Sequence, residues 1–144
     1  MHRHGLLFVI LGAISATSCD VSTPKPTTDI RERLVGTWLS ELDEDGGRIR
    51  SVVTLNQEGK FREVEKIFEP NGQTKLATHT GEWFFDGTNF KRKYTSSNGQ
   101  SLSNSQFAYV TYAVKSSTNS EFVGADNVRQ KEVRFVRADA ETQP

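Results

Sequence analysis

Residue types that carry covalent or proton-transfer chemistry are scarce in this 144-residue sequence, which holds three histidines and one cysteine, Cys19. His2 and His4 lie in the first four residues, so His79, between Thr78 and Thr80, is the histidine of the remaining chain. A proton relay needs a partner held beside it, and none lies near His79 in sequence. A structurally satisfied or exposed imidazole is the expectation. A Ser-His-Asp site would have to use His79, and no Gly-x-Ser-x-Gly elbow is present. A zinc site of cysteine and histidine ligands lacks the residues. No glycine-rich phosphate loop opens a helix. Glu41, Asp43, Glu44 and Asp45 before Gly46-Gly47 have the start of a calcium loop without its remaining ligands, and read as a solvated hairpin turn. Paired carboxylates for glycoside hydrolysis remain open to any Asp and Glu that the fold brings together, and nothing singles out a pair. The sequence thus predicts no catalytic residue, no metal site and no cofactor; it reads as a protein that is not an enzyme.

Binding remains. Phe85, Tyr94 and Tyr109 are candidates to line a ligand site, with aromatic bulk and two hydroxyls to orient a ligand. The same aromatics could fill a closed core: nine Phe, three Tyr and two Trp are ample for a short chain. Lys91-Arg92-Lys93, between Phe90 and Tyr94, mixes charge and rings as nucleic-acid binders do. Arg92 shares the parity of Phe90 and Tyr94, which allows one cation on the inner face. Solvating lysines on an exposed strand edge are the simpler reading. Lys+Arg total 18 against 18 Asp+Glu, so no basic field exists to draw nucleic acid.

The N-terminus carries a processing signal. Met1 to His4 form a short basic start, and Gly5 to Ala16 is an uncharged apolar run. A run of about a dozen residues is the size of a signal-peptide core and falls short of the roughly 20 that span a bilayer. Ala16-Thr17-Ser18-Cys19 resembles the cleavage motif of bacterial lipoproteins: a small or aliphatic pair, then Gly, Ala or Ser, then Cys. Ala16 stands where Leu is commonest. The resemblance implies cleavage before Cys19, a diacylglycerol thioether on its sulfur and an acyl chain such as palmitate on its amine. Each buried methylene contributes about 0.8 kcal/mol, and two or more chains anchor stably. An ordinary secretory signal with an incidental cysteine is the alternative. Asp20 resembles an inner-membrane retention signal of enteric bacteria that other groups do not share, so the choice of membrane stays open. Loss of residues 1–18 removes Arg3, leaving 17 basic against 18 acidic residues, or −1.

Val21 to Thr28 is polar with two prolines and reads as an extended tether. The expected organisation is a signal peptide at 1–18, a lipidated cysteine and tether at 19–28, a folded domain at 29–138 and a polar tail at 139–144. The expected location is the bacterial cell envelope, lipid-anchored and facing the periplasm. The single cysteine forbids an internal disulfide, so the domain must stand on burial.

Within the domain, one short helix comes first. Asp29 is its expected cap, with Glu32 as reciprocal partner and Ile30, Leu34 and Val35 as the apolar stripe. Turn dipeptides then recur at Asp45-Gly46, Glu58-Gly59, Asn71-Gly72, Asp86-Gly87 and Asn98-Gly99, at intervals of 13, 13, 15 and 12 residues. Such intervals leave strands of about ten residues, longer than small sandwiches use, and suit an up-and-down barrel. The predicted strands are 36–43, 48–57, 60–70, 74–85, 89–97, 105–116, 121–126 and 129–137, with 117–130 the least defined stretch. Alternation puts Ile49, Val53 and Leu55 on one face, and likewise Val133 with Phe135. Between Phe61 and Val64 the apolar phase switches, which predicts a bulge.

At Leu34-Val35-Gly36-Thr37-Trp38 the chain resembles the opening of lipocalin-like domains, a short helix leading into Gly-x-Trp. Gly81-Glu82-Trp83 and the stretch from Val53 to Phe61 are similar to segments of small bacterial relatives. The resemblance covers roughly residues 30–137. It implies an all-β, antiparallel barrel of about eight strands after one helix, and a barrel floor in which Arg137 covers Trp38. It further implies a non-catalytic binding module for a small apolar or aromatic ligand. The competing reading is a filled barrel that binds an envelope protein, as an inhibitor, immunity protein or assembly factor does.

Overall fold

A computed structural model of the chain describes residues 27–103, 108–126 and 128–144. The apolar run, Cys19 and most of the predicted tether lie outside the described residues. The chain opens with α1 (Thr27–Leu34) and continues through β1 (Gly36–Glu44), β2 (Gly47–Leu55), β3 (Lys60–Phe68), β4 (Thr74–Phe85) and β5 (Asn89–Ser97). A two-residue β6 (Gln100–Ser101) follows, then β7 (Ala108–Ser117), β8 (Glu121–Asp126) and β9 (Lys131–Ala138). The long strands pair antiparallel in the order β1-β2-β3-β4-β5-β7-β8-β9, and β9 returns to β1. The result is a closed up-and-down barrel of eight strands, with β6 paired only to the end of β5. Turn chemistry explains the regularity. Asp45 and Gly46 take φ of 50° and 79°, and Asn98 and Gly99 take 47° and 79°. Two successive positive φ angles give a turn whose twist matches that of the flanking strands.

Two local expectations are corrected. The helix begins at Thr27, so Asp29 lies within it and not at its cap. The β3 strand has no bulge: its register is continuous with β2 from Phe61 to Phe68 and with β4 from Lys60 to Phe68. The apparent phase switch arises because Val64 stays on the outer face while Glu63 and Glu65 occupy inner positions. The irregularities fall instead between Thr80 and Gly81 and between Val114 and Ser116. In the stretch 117–130, the Thr118 hydroxyl accepts from the amides of Ser120 and Glu121 and turns the chain into β8.

One half of the barrel is filled. Trp38, Val53, Leu55, Phe61, Trp83, Phe90, Phe122 and Phe135 are buried there. Phe122 stacks on Phe135 at 4.3 Å, and Trp38 meets the Phe122 ring edge-on at 4.8 Å. The helix closes this end by burying Leu34 completely. Trp38 and Arg137 are direct cross-strand partners. The Arg137 guanidinium lies 3.9 Å from the Trp38 ring centroid, the contact that the resemblance implies. It donates to the carbonyls of Val35 (2.6 Å), Arg33 (2.7 Å) and Asn119 (3.0 Å), while the Trp38 indole donates to Leu34 O at 2.7 Å. Carbonyls left open at the end of α1 are thereby satisfied by the barrel floor. Gly36 (φ 130°) makes this possible, since a Cβ there would collide with the Arg137 guanidinium.

Candidate functional site

The other half of the barrel is hollow. A cavity of about 410 Å³ lies beyond the aromatic core, on the side away from α1. Its size falls in the roughly 300–1,000 Å³ range of small-molecule sites. Strand alternation decides its lining. On β3 the inner positions after Phe61 are Glu63 and Glu65; on β5 they are Arg92 and Tyr94. On β4 the inner series that carries Gly81 and Trp83 continues back to His79. Between Thr80 and Gly81 the partner strand advances from Ser96 to Tyr94, leaving Thr95 as an extra residue. This bulge lets Tyr94 and Ser97, three residues apart, both face the cavity.

The floor is an ion pair. Arg92 Nη1 donates to Glu63 Oε1 at 2.8 Å, and both side chains are buried, at 4% and 3% exposure. The Tyr94 hydroxyl donates to Glu63 Oε2 at 2.7 Å. Rings surround the guanidinium, with Phe61, Phe90, Tyr94 and Tyr112 centroids 5.3–5.9 Å from it. Burial is the largest influence on the Arg92 pKa and would lower it, but Glu63 together with Tyr94 and Tyr112 outweighs it and holds the cation. Burial pushes the Tyr94 phenol far above its ordinary value, with Glu63 and Tyr112 adding to it against the opposing pull of Arg92, so it stays protonated and able to donate.

Above the floor, Glu65 Oε2 lies 3.4 Å from His79 Nε2, and Glu65 Oε1 accepts from the Ser51 hydroxyl at 3.2 Å. Burial, and after it Glu63, raise the Glu65 carboxyl above its ordinary 4.5; His79, Ser51 and Arg92 pull the other way. A carboxyl whose folded-state pKa is raised binds its proton more tightly when folded. Its contribution to stability is therefore complete below the ordinary glutamate range and is lost as pH rises through the raised value. Glu65→Gln is expected to remove this loss. The variant should gain stability relative to wild type between acid and neutral pH in chemical melts, and parallel pH profiles for the two would sink the argument.

At the mouth, β1 and β9 part company. Their pairing runs from Thr37↔Ala138 to Ser40↔Phe135 and stops, although both strands continue. The gap is bridged by Lys131 Nζ, which donates to Asp43 O at 3.2 Å, and by Arg129, which lies 3.8 Å from Glu44 and 4.0 Å from Asp126. Ser40, where pairing stops, lines both the cavity and a groove on the outer wall bounded by Leu39, Glu41, Arg134 and Val136.

Of the residues proposed from sequence to line a site, Tyr94 lies in the cavity. Tyr109 does not: it is 67% exposed on the outer wall, because β7 turns Ala108, Val110 and Tyr112 inward. Phe85 packs against the aromatic core beside Phe90 and belongs to the filled half. Lys91-Arg92-Lys93 is not an exposed edge. Its strand is paired on both sides, by β4 and β7, and Arg92 is the inner cation. Glu63, Glu65 and Tyr112 escaped the sequence reading. Their signal was parity: carboxylates at Glu63 and Glu65 continue the inner series begun by Phe61. Cys19 lies outside the described residues. Among the described residues, no group of His, Cys, Asp and Glu is arranged to hold a metal ion.

The site therefore combines an apolar wall, a neutralised ion pair at its floor and a second carboxyl beside an imidazole. No protein-family model matches the sequence, and no curated protein matches it at a significant level.

Proposed function

We propose that this protein is a lipid-anchored envelope lipoprotein whose barrel binds a small ligand without transforming it. The observation that carries the binding reading is the cavity of about 410 Å³ in a barrel whose other half is filled. A barrel built purely as a scaffold gains by filling its interior, since buried voids forfeit packing contacts. Leu42, Ile49, Val110 and Val133 offer an apolar body-binding surface, and Tyr94 and His79 add ring faces and polar atoms. The test is native mass spectrometry of the protein recovered from host envelopes. A small-mass adduct that survives desolvation and vanishes on denaturation is expected, and a bare protein would overturn the reading.

Anchoring rests on the apolar run and the Ala16-Thr17-Ser18-Cys19 motif. Cys19→Ser is expected to abolish incorporation of labelled palmitate and to move the protein from the membrane pellet to the soluble fraction. Unchanged pelleting would refute it.

A protein partner is the second reading, and one observation favours it. The register aligns Val136, Leu39, Val52 and Val64 side by side across β9, β1, β2 and β3 on the outer wall. Leu39 and Val136 also bound the outer groove, with Val136 43% exposed. Val52 is already buried within the row, and the accessible parts of Leu39, Val64 and Val136 are a surface that a partner can cover. A partner protein in the same native spectra, without a small adduct, would favour this reading.

A further inference from the structure

We propose that the cavity takes a small organic cation, an apolar or aromatic body carrying a protonated amine, with its nitrogen seated against Glu65. This rests on the cavity reading above and names the class of ligand that the site accepts.

Charge inside the barrel is unequally matched. Two carboxylates, Glu63 and Glu65, project inward from β3. The inward guanidinium opposite them, Arg92, is already committed to Glu63 at 2.8 Å. Arg129 lines the rim, but it is half exposed and lies between Glu44 and Asp126. Glu65 is left with a hydroxyl from Ser51 and an imidazole from His79. Among the described residues, the barrel interior thus sets two carboxylates against one guanidinium that is already paired. A carboxylate or phosphate ligand would add negative charge beside Glu63 and Glu65, where Arg92 is held by Glu63 and Arg129 sits at the rim between two other carboxylates. A neutral ligand would leave the imbalance as it stands. An ammonium supplies the missing counter-ion as a charge-assisted hydrogen bond. Its positive charge would also offset the burial and the Glu63 repulsion that hold the Glu65 carboxyl above its ordinary range. The apolar wall formed by Leu42, Ile49, Val110 and Val133 then receives the rest of the molecule.

The test is isothermal titration of the purified full chain, near neutral pH and at low salt, with three probes of similar size: phenethylamine, phenethyl alcohol and phenylpropionate. The amine should bind about tenfold or more tightly than the alcohol, with the carboxylate weakest. In Glu65→Gln the amine should fall to within about threefold of the alcohol, whose own affinity should not change. A thermal melt of the same variant shows that it is folded. If the alcohol or the carboxylate binds best, or if the amine preference survives Glu65→Gln, this proposal fails while the cavity reading stands. If none of the three binds, both fail together.

Discussion

Arg92→Met is expected to lower the stability of the barrel by about 3–5 kcal/mol, the cost of leaving a buried charge without its partner. Glu63 is 3% exposed and accepts from Arg92 Nη1 and the Tyr94 hydroxyl. Removing the guanidinium leaves its carboxylate in an aromatic box, where the phenol can offer one hydrogen bond but no charge. For a domain of this size the loss corresponds to a fall in Tm of roughly 10–20 °C. The paired change is the sharper half of the prediction. Arg92→Met with Glu63→Gln removes both charges, and the amide oxygen can still accept from Tyr94. That double variant should recover most of the loss, because a buried pair contributes little net stability relative to uncharged groups that fit the same space. A double-mutant cycle by urea melts measures the coupling. A cost for Arg92→Met below about 1 kcal/mol would mean that the pair is solvated in solution and that the cavity floor is wet.

Arg137→Ala is expected to cost about 2–4 kcal/mol, through the hydrogen bonds and the ring contact that it removes together. The guanidinium donates to the carbonyls of Arg33, Val35 and Asn119 and covers the Trp38 ring at 3.9 Å. It thereby joins three pieces of chain: the end of α1, the turn before β8 and the first strand. Truncation leaves those carbonyls short of donors and opens the indole, which is fully buried, to water. Arg137→Lys should not rescue the loss, because an ammonium cannot reach carbonyls that a planar fork serves simultaneously. The readouts are urea melts and a shift of tryptophan emission toward the solvent-exposed value. A cost within about 0.5 kcal/mol of wild type, the range of an ordinary surface substitution, would refute the floor's role.

The two predictions differ in how far sequence could reach them. Arg137 opposite Trp38 was legible, since the parity of Arg137 with Val133 and Phe135 placed it inside and the Gly36-Thr37-Trp38 opening supplied its partner. The Arg92–Glu63 pair was not. Its members lie 29 residues apart, on strands that are not neighbours: β4 runs between β3 and β5 in the sheet. They meet only because the barrel curves and closes. In sequence each is an ordinary charged residue flanked by more charge, Arg62 on one side and Lys91 and Lys93 on the other.

Local sequence was enough for the strand count and the barrel. These properties are local: a turn needs its own two residues to take positive φ, and alternation has a period of two that any short window displays. Tertiary structure decided which face of each strand became the interior, and therefore what the interior is. Tyr109 and Tyr112 both carry phenols, and register alone sends the first to solvent and the second to the cavity. A single extra residue at Thr95 turns Tyr94 and Ser97 to the same side. Half of the barrel is filled because the aromatic side chains collect at one end, against α1. The other end is lined by serines, carboxylates, aliphatics and a few rings that leave a cavity between them. That division is a sum over eight strands at once, and no window of sequence contains it.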